Sequence, residues 1–136
     1  MEVTLAVLAD AANTTGSGKL NLLGVFQNIS AKQVPCFHPM MTLAIMLRAD
    51  LGDKGTAHTL QIDVLDDEAR DLTSSPEIGF EIPTGGPQPN PEFALAIRLP
   101  NFMLPKFGQY IFNVLIDGVQ LRQIFLTVQP IILTRP

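Results

Sequence analysis

The 136 residues include one cysteine, one tyrosine, two histidines and no tryptophan, and only 16% of them are charged. Each shortage removes a class of protein. A lone Cys36 cannot build a disulfide framework, and it suits a reducing compartment. Nine lysines and arginines stand singly against thirteen acidic residues. They form no basic stripe of the kind a phosphate backbone requires, so no nucleic-acid partner is expected. No uncharged apolar run approaches the roughly 18 residues of a membrane span. Met1-Glu2-Val3 opens the chain without a basic leader, so a cytoplasmic protein with no membrane partner is expected. With two histidines and no carboxylate at ligand spacing, neither a zinc site nor any other cofactor is expected.

What the chain has instead is apolar surface. Hydrophobic residues make up 46%, the mean hydropathy is +0.25, and the charged fraction lies well below the roughly 25% of an average globular protein. A chain of this length forms one domain, residues 1–136, that buries roughly 65–70% of its unfolded surface without disulfides or metal. Strands that are apolar on both faces then need a second covering surface, most simply another copy of the chain.

Periodicity is that of strands throughout. The longest signal is a hairpin from Phe107 to Val128 turning at Asp117-Gly118, a pair suited to the positive φ angles of a type I′ turn. Pairing outward sets Ile116 opposite Val119 and Val114 opposite Leu121. Farther out the apolar positions become Ile124, Leu126 and Val128, so one residue must be absorbed. A bulge at Arg122-Gln123 would place Phe112 opposite Ile124 and Tyr110 opposite Leu126. Upstream, strands are expected over Val3–Ala9, Lys19–Gln27, Met41–Arg48, Thr59–Val64, Ile78–Ile82 and Phe93–Leu99, with a polar turn over Asp10–Gly18 and a crossover over Asn28–Pro39. In the first strand, Val3, Leu5 and Val7 share one face and Leu8 lies on the other. Pro76 and Pro83 mark the fifth strand as an edge.

Several constellations invite a chemical reading. Gly16-Ser17-Gly18-Lys19 suggests a phosphate loop, but the required Gly and Ser/Thr positions hold Asn13 and Leu20, and a strand follows where a helix is needed. Cys36 and His38 sit two apart, a spacing that sets a thiolate and its base on one side of an extended segment, without an orienting third group. The carboxylates Asp63, Asp66, Asp67, Glu68 and Asp71 could serve a hard cation only if joined by Asp50 and Asp53, and successive turns of neighbouring antiparallel strands lie at opposite ends. A solvated acidic turn is the simpler reading.

Eight short strands with turns every 8–14 residues or so point to an all-β fold: a two-sheet antiparallel β-sandwich with an immunoglobulin-like Greek key. Gly108-Gln109-Tyr110-Ile111-Phe112 resembles the tyrosine corner of such folds, with Phe112 in the core position two residues on. Together with Leu8-Ala9-Asp10, the Gly18–Phe26 segment and Asp117-Gly118, this corner resembles a family of uncharacterised bacterial proteins. The resemblance implies the sandwich fold and a bacterial origin, and it brings no activity. The function expected is a non-catalytic binding or assembly module. A homo-oligomer is its main partner and another protein is possible, held through Leu8, Leu23, Leu115, Phe125, Ile131 and Leu133. Two alternatives are an apolar small-ligand pocket beside the Pro83–Pro91 loop and an enzyme using Cys36 and His38.

Overall fold

The computed structural model describes residues 1–72, 77–100 and 102–131, and these form an all-β chain without a helix. The strands are β1 (Glu2–Thr14), β2 (Leu20–Phe26), β3 (Asn28–Ala31), β4 (Cys36–His38), β5 (Thr42–Arg48), β6 (Ala57–Leu65), β7 (Ile78–Glu81), β8 (Glu92–Arg98), β9 (Phe102–Leu104), β10 (Gly108–Ile116) and β11 (Val119–Pro130). Among the described residues eleven strands stand where eight were expected. They group into three sheets rather than two: β2-β1-β5-β8, β3-β11-β10-β6-β7, and the short pair β4-β9. The pairing is antiparallel except for β3 against β11, which is parallel. Among the described residues no helix is long and apolar enough to cross a membrane.

The core lies between the two larger sheets. Leu43, Ile45 and Leu47 of β5 meet Leu60, Ile62 and Val64 of β6 and Phe112, Val114 and Leu126 of the long hairpin, all nearly or fully buried. Those residues recur at every second position, so each strand sends one face inward. The short pair β4-β9 adds Leu104, fully buried, and Phe102, whose ring lies 5.9 Å from that of Phe112.

Two irregularities set which residues face in. Val3 pairs with Leu47 but Leu5 pairs with Met46, so Thr4 is an extra residue in β1. A one-residue slip reverses the faces of a strand. Val3 therefore faces the core, and beyond the bulge Ala6 and Leu8 do so, while Leu5 and Val7 turn outward. Leu8, expected at an interface, is instead a core residue at 1% exposure. The second irregularity is in the hairpin. Asp117 and Gly118 have φ of 51° and 80°, as the turn requires, and Ile116 pairs with Val119. Val114, however, pairs with Arg122 rather than Leu121, so the bulge falls at Leu121, a residue earlier than expected. Phe112 then meets Ile124 and Tyr110 meets Leu126, in the expected register. Arg122 consequently points inward at the open end of the core, where its guanidinium donates to the Val3 carbonyl at 3.1 Å and links the first strand to the last.

Other departures are local. The segment expected as a polar turn from Asp10 continues as strand to Thr14, and the crossover over 28–39 contains β3 and β4. β7 is an outer strand, as its flanking prolines suggested.

Candidate functional site

The outer faces of the two larger sheets differ. On the five-stranded sheet the outward residues include Gln61, Asp63, Asn113 and Gln123, aligned across β6, β10 and β11. Leu115 and Phe125 stand on this face, half-buried and 48% exposed respectively, with Asn113 and Gln123 between them and with Phe125 beside Ile111 and Leu65. The four-stranded sheet has no such alternation. Its register sets Val25 beside Ala9, Val7 beside Ala44 and Leu5 beside Met46, with Ala96 and Ala94 completing the rows on β8. Leu23, beside Ala11, is 70% exposed and Val25 53%. Charges lie only at the ends of this face. At one end Arg48 bridges Glu2 at 3.4 Å and Glu92 at 3.1 Å, and at the other Arg98 pairs with Thr42 in the ladder. Ile131 is 41% exposed beside β3, and Leu133 lies outside the described residues.

Cys36 and His38 alternate along β4, so both turn to the same side. Cys36 packs against the core. The His38 ring lies 5.0 Å from that of Phe26, with Nε2 3.4 Å from Asp10 Oδ1. No hydrogen bond joins thiol and imidazole among the described residues.

A different triad of side chains was not foreseen. His58 Nδ1 lies 2.6 Å from Asp117 Oδ2 and its Nε2 lies 2.8 Å from Thr56 Oγ1. Hydroxyl, imidazole and carboxylate in a row is the order of a nucleophile, its base and an orienting acid. Here the Thr56 hydroxyl donates to the Asp53 carbonyl at 2.6 Å, which occupies its proton. The amides beside it are also engaged, Gly55 N–H by Ile82 O and Thr56 N–H by Asp53 O, so neither can hold an oxyanion. The row works as a latch. Asp117 also accepts from the Thr59 amide at 3.0 Å, and the His58 hydrogen bond, then that amide, hold its carboxyl below the usual range. His58 stacks on Phe80, which meets Phe93, so the latch closes one end of the core.

The acidic turn is not simply solvated. Asp66 is buried, and its Oδ1 accepts the Glu68 and Arg70 amides, both at 2.9 Å. Lys106 Nζ reaches Asp67 at 2.6 Å, Glu68 at 3.2 Å and Asp66 at 3.6 Å, occupying with an ammonium the centre a cation would take. Among the described residues no group of three His, Cys, Asp or Glu side chains is placed to hold a metal ion. The Lys106 backbone is itself fixed: its N–H donates to the Tyr110 hydroxyl at 3.0 Å and its carbonyl accepts from that hydroxyl at 2.5 Å. Beside the Pro83–Pro91 loop lies a cleft of about 430 Å³, where the polar side chains of Gln88, Asn90 and Glu92 share the wall with Phe93.

Gly16-Ser17-Gly18-Lys19 forms an exposed turn into β2, and Lys19 N–H is taken by Thr15 Oγ1 at 3.0 Å. The latch and the Lys106 clamp each join residues from distant parts of the chain, so local spacing carries no signal for either. The outer face of the four-stranded sheet had one signal, the double apolar face of Val3–Ala9, but not its phase.

Among solved structures, the chain is similar to the alkylpurine DNA glycosylase AlkC of Pseudomonas fluorescens, determined bound to DNA containing an abasic site analogue. Identity is 9% and the TM-score 0.43, covering 91% of this chain and 30% of that one. The chain thus spans less than a third of that protein's length. No curated protein matches it. The model of one family matches residues 4–129, and the chain belongs to that family, DUF6941, a family of unknown function.

Proposed function

We propose that the protein is a non-catalytic assembly module in which the outer face of the four-stranded sheet packs against the same face of a second copy. The observation that carries this reading is the absence of any charged side chain on that face between the Glu2-Arg48-Glu92 cluster and Arg98. An antiparallel sheet with a solvated face ordinarily alternates apolar with polar residues, as β6 does with Gln61 and Asp63 outward. Four strands about 4.8 Å apart and seven residues of about 3.4 Å each make a patch roughly 19 by 24 Å. Two such patches in contact remove about 1,000 Å² from water, the low end for a specific interface, so a micromolar dimer is expected.

Sedimentation velocity over a concentration series tests this. The wild-type mass should rise from one 14.8 kDa chain toward two. Val7→Glu and Met46→Glu should stay monomeric with unchanged far-ultraviolet circular dichroism, whereas Phe125→Glu should associate like the wild type. A wild type that stays monomeric, or a Phe125→Glu variant that dissociates while Val7→Glu does not, would overturn the reading.

The architecture proposed for this module is an immunoglobulin-like Greek-key sandwich. Three features support it: the order β3-β11-β10-β6-β7, the parallel contact of an early strand with the last one, and the Tyr110 hydroxyl bonded back to Lys106.

A further inference from the structure

The outer face of the four-stranded sheet is charged only at its two ends, and the ends are opposite in sign. At one end Glu2, Arg48 and Glu92 lie side by side across β1, β5 and β8, two carboxylates sharing one guanidinium. At the other end the row runs Val25, Ala9, Thr42 and Arg98. Among the described residues the Arg98 guanidinium makes no ion pair or hydrogen bond. The Thr42 hydroxyl beside it, although the residue is buried, makes none either.

That pattern decides how two copies can lie together. Packing the face takes Arg98 out of water, and a guanidinium buried without a carboxylate is costly. Among the described residues the carboxylates on this face are Glu2 and Glu92, and they stand about 20 Å along the strands from Arg98, out of its reach within one chain. A two-fold axis lying in the interface can run in two ways. Along the strands, it keeps their direction and lays the Glu2-Arg48-Glu92 end on the same end of the second copy, each with one negative charge in excess, while Arg98 comes to rest over the apolar β1-β2 hairpin. Across the strands, it reverses their direction and lays β8 on β8, so that Arg98 stands over the partner's Glu92 and Glu92 over the partner's Arg98. The same rotation sets Met46 over the partner's Ala44, large against small at the centre of the face. Packed sheets lie about 10 Å apart, a gap that arginine and glutamate close when they reach from opposite sides.

We propose that two copies join with their strands reversed, about a two-fold axis running across β1, β5 and β8, and that Arg98 of each chain pairs with the partner's Glu92. The inference rests on the assembly reading and adds to it an orientation and the residue pair that selects it. A two-fold contact makes each pair twice, and guanidinium suits carboxylate because its paired N–H groups match the two oxygens. Like charges brought together suppress the wrong alignment, so the charged ends set the register while the apolar centre supplies the buried area.

The experiment is sedimentation velocity over a concentration series on the full chain, on Arg98→Glu, on Glu92→Arg and on the variant carrying both changes, with far-ultraviolet circular dichroism on each. Arg98 and Glu92 are both exposed, so neither substitution threatens the fold. Each single reversal should weaken the dimer roughly a hundredfold, a factor of ten for each of the two pairs lost. The double variant exchanges the charges across the contact and should return to within roughly fivefold of the wild type. Arg98→Gln, which removes the charge without reversing it, should fall between the wild type and Arg98→Glu. A dimeric wild type whose Arg98→Glu variant associates as tightly, or a double variant as weak as the single ones, would overturn the orientation and leave assembly standing. A wild type that stays monomeric would overturn assembly, and the orientation with it.

Discussion

Replacing Tyr110 by Phe removes one oxygen from a fully buried ring and leaves the ring's packing in place, so the effect isolates two hydrogen bonds. The hydroxyl donates to the Lys106 carbonyl at 2.5 Å and accepts from the Lys106 amide at 3.0 Å. Each such bond contributes about 1 kcal/mol net, and a backbone group left without a partner costs about 1–3 kcal/mol when buried. Lys106 is half-buried, so water recovers part of that penalty, and the loss should be about 2 kcal/mol. With an unfolding entropy of about 2.1 cal/mol/K per residue, that shifts the melting temperature of a chain this long by about 7 °C. Urea titrations followed by circular dichroism should show a lower midpoint at unchanged slope, because the surface exposed on unfolding is the same. Tyr110 ionises above the usual range, chiefly because it is buried, so the difference between the two proteins should hold across neutral pH. A loss below about 0.5 kcal/mol, within the scatter of inconsequential surface changes, would refute the view that this corner stabilises the fold.

Two further predictions concern the acidic turn and β2. The Arg70 amide first, then the Glu68 amide, hold the Asp66 carboxyl below its usual range, so its contribution is present above the unfolded value of about 3.9 and is lost as pH falls through the folded one. Lys106, raised chiefly by Asp67, contributes fully below about pH 10.4 and loses its share only as pH climbs through its folded value; pH-dependent urea midpoints should fall in acid, less steeply in Asp66→Asn, and an identical acid limb would refute the assignment. Gly24→Ala forces a side chain onto a φ of +69° and against Asp10, and should cost about 1–2 kcal/mol in urea, with little recovered by adding Asp10→Ala, since that second change relieves the contact but not the backbone.

Strands with one wet face were legible because their period could be read in a single direction. Leu60, Ile62 and Val64 alternate with Thr59, Gln61 and Asp63, and the structure buries the first set completely or nearly so. The turn at Asp117-Gly118 was legible because few residue pairs tolerate two positive φ angles. Val3–Ala9 was illegible in phase: its one polar residue, Thr4, is the bulge itself, and no polar residue beyond it marks the outside, so simple alternation puts Leu8 on the face away from the core. β3 and β4, four and three residues long, are too short to show a period. Asp10 read as the start of a turn, whereas β1 runs on through it to Thr14.

The parallel pairing of β3 with β11 also orders events in time. Asn28 finds its ladder partner at Thr127, and the Val3 carbonyl finds its donor at Arg122. During synthesis the first strands emerge early and wait. The β1-β2 hairpin can close on its own, but β3 has no ladder partner until β11 has been made. Closing loops of such length before their contacts form slows folding and leaves strand edges open to other chains. Completion of the fold is therefore tied to the arrival of its last strand, and a chain truncated before β11 loses the partner of β3 and the donor that ties down β1.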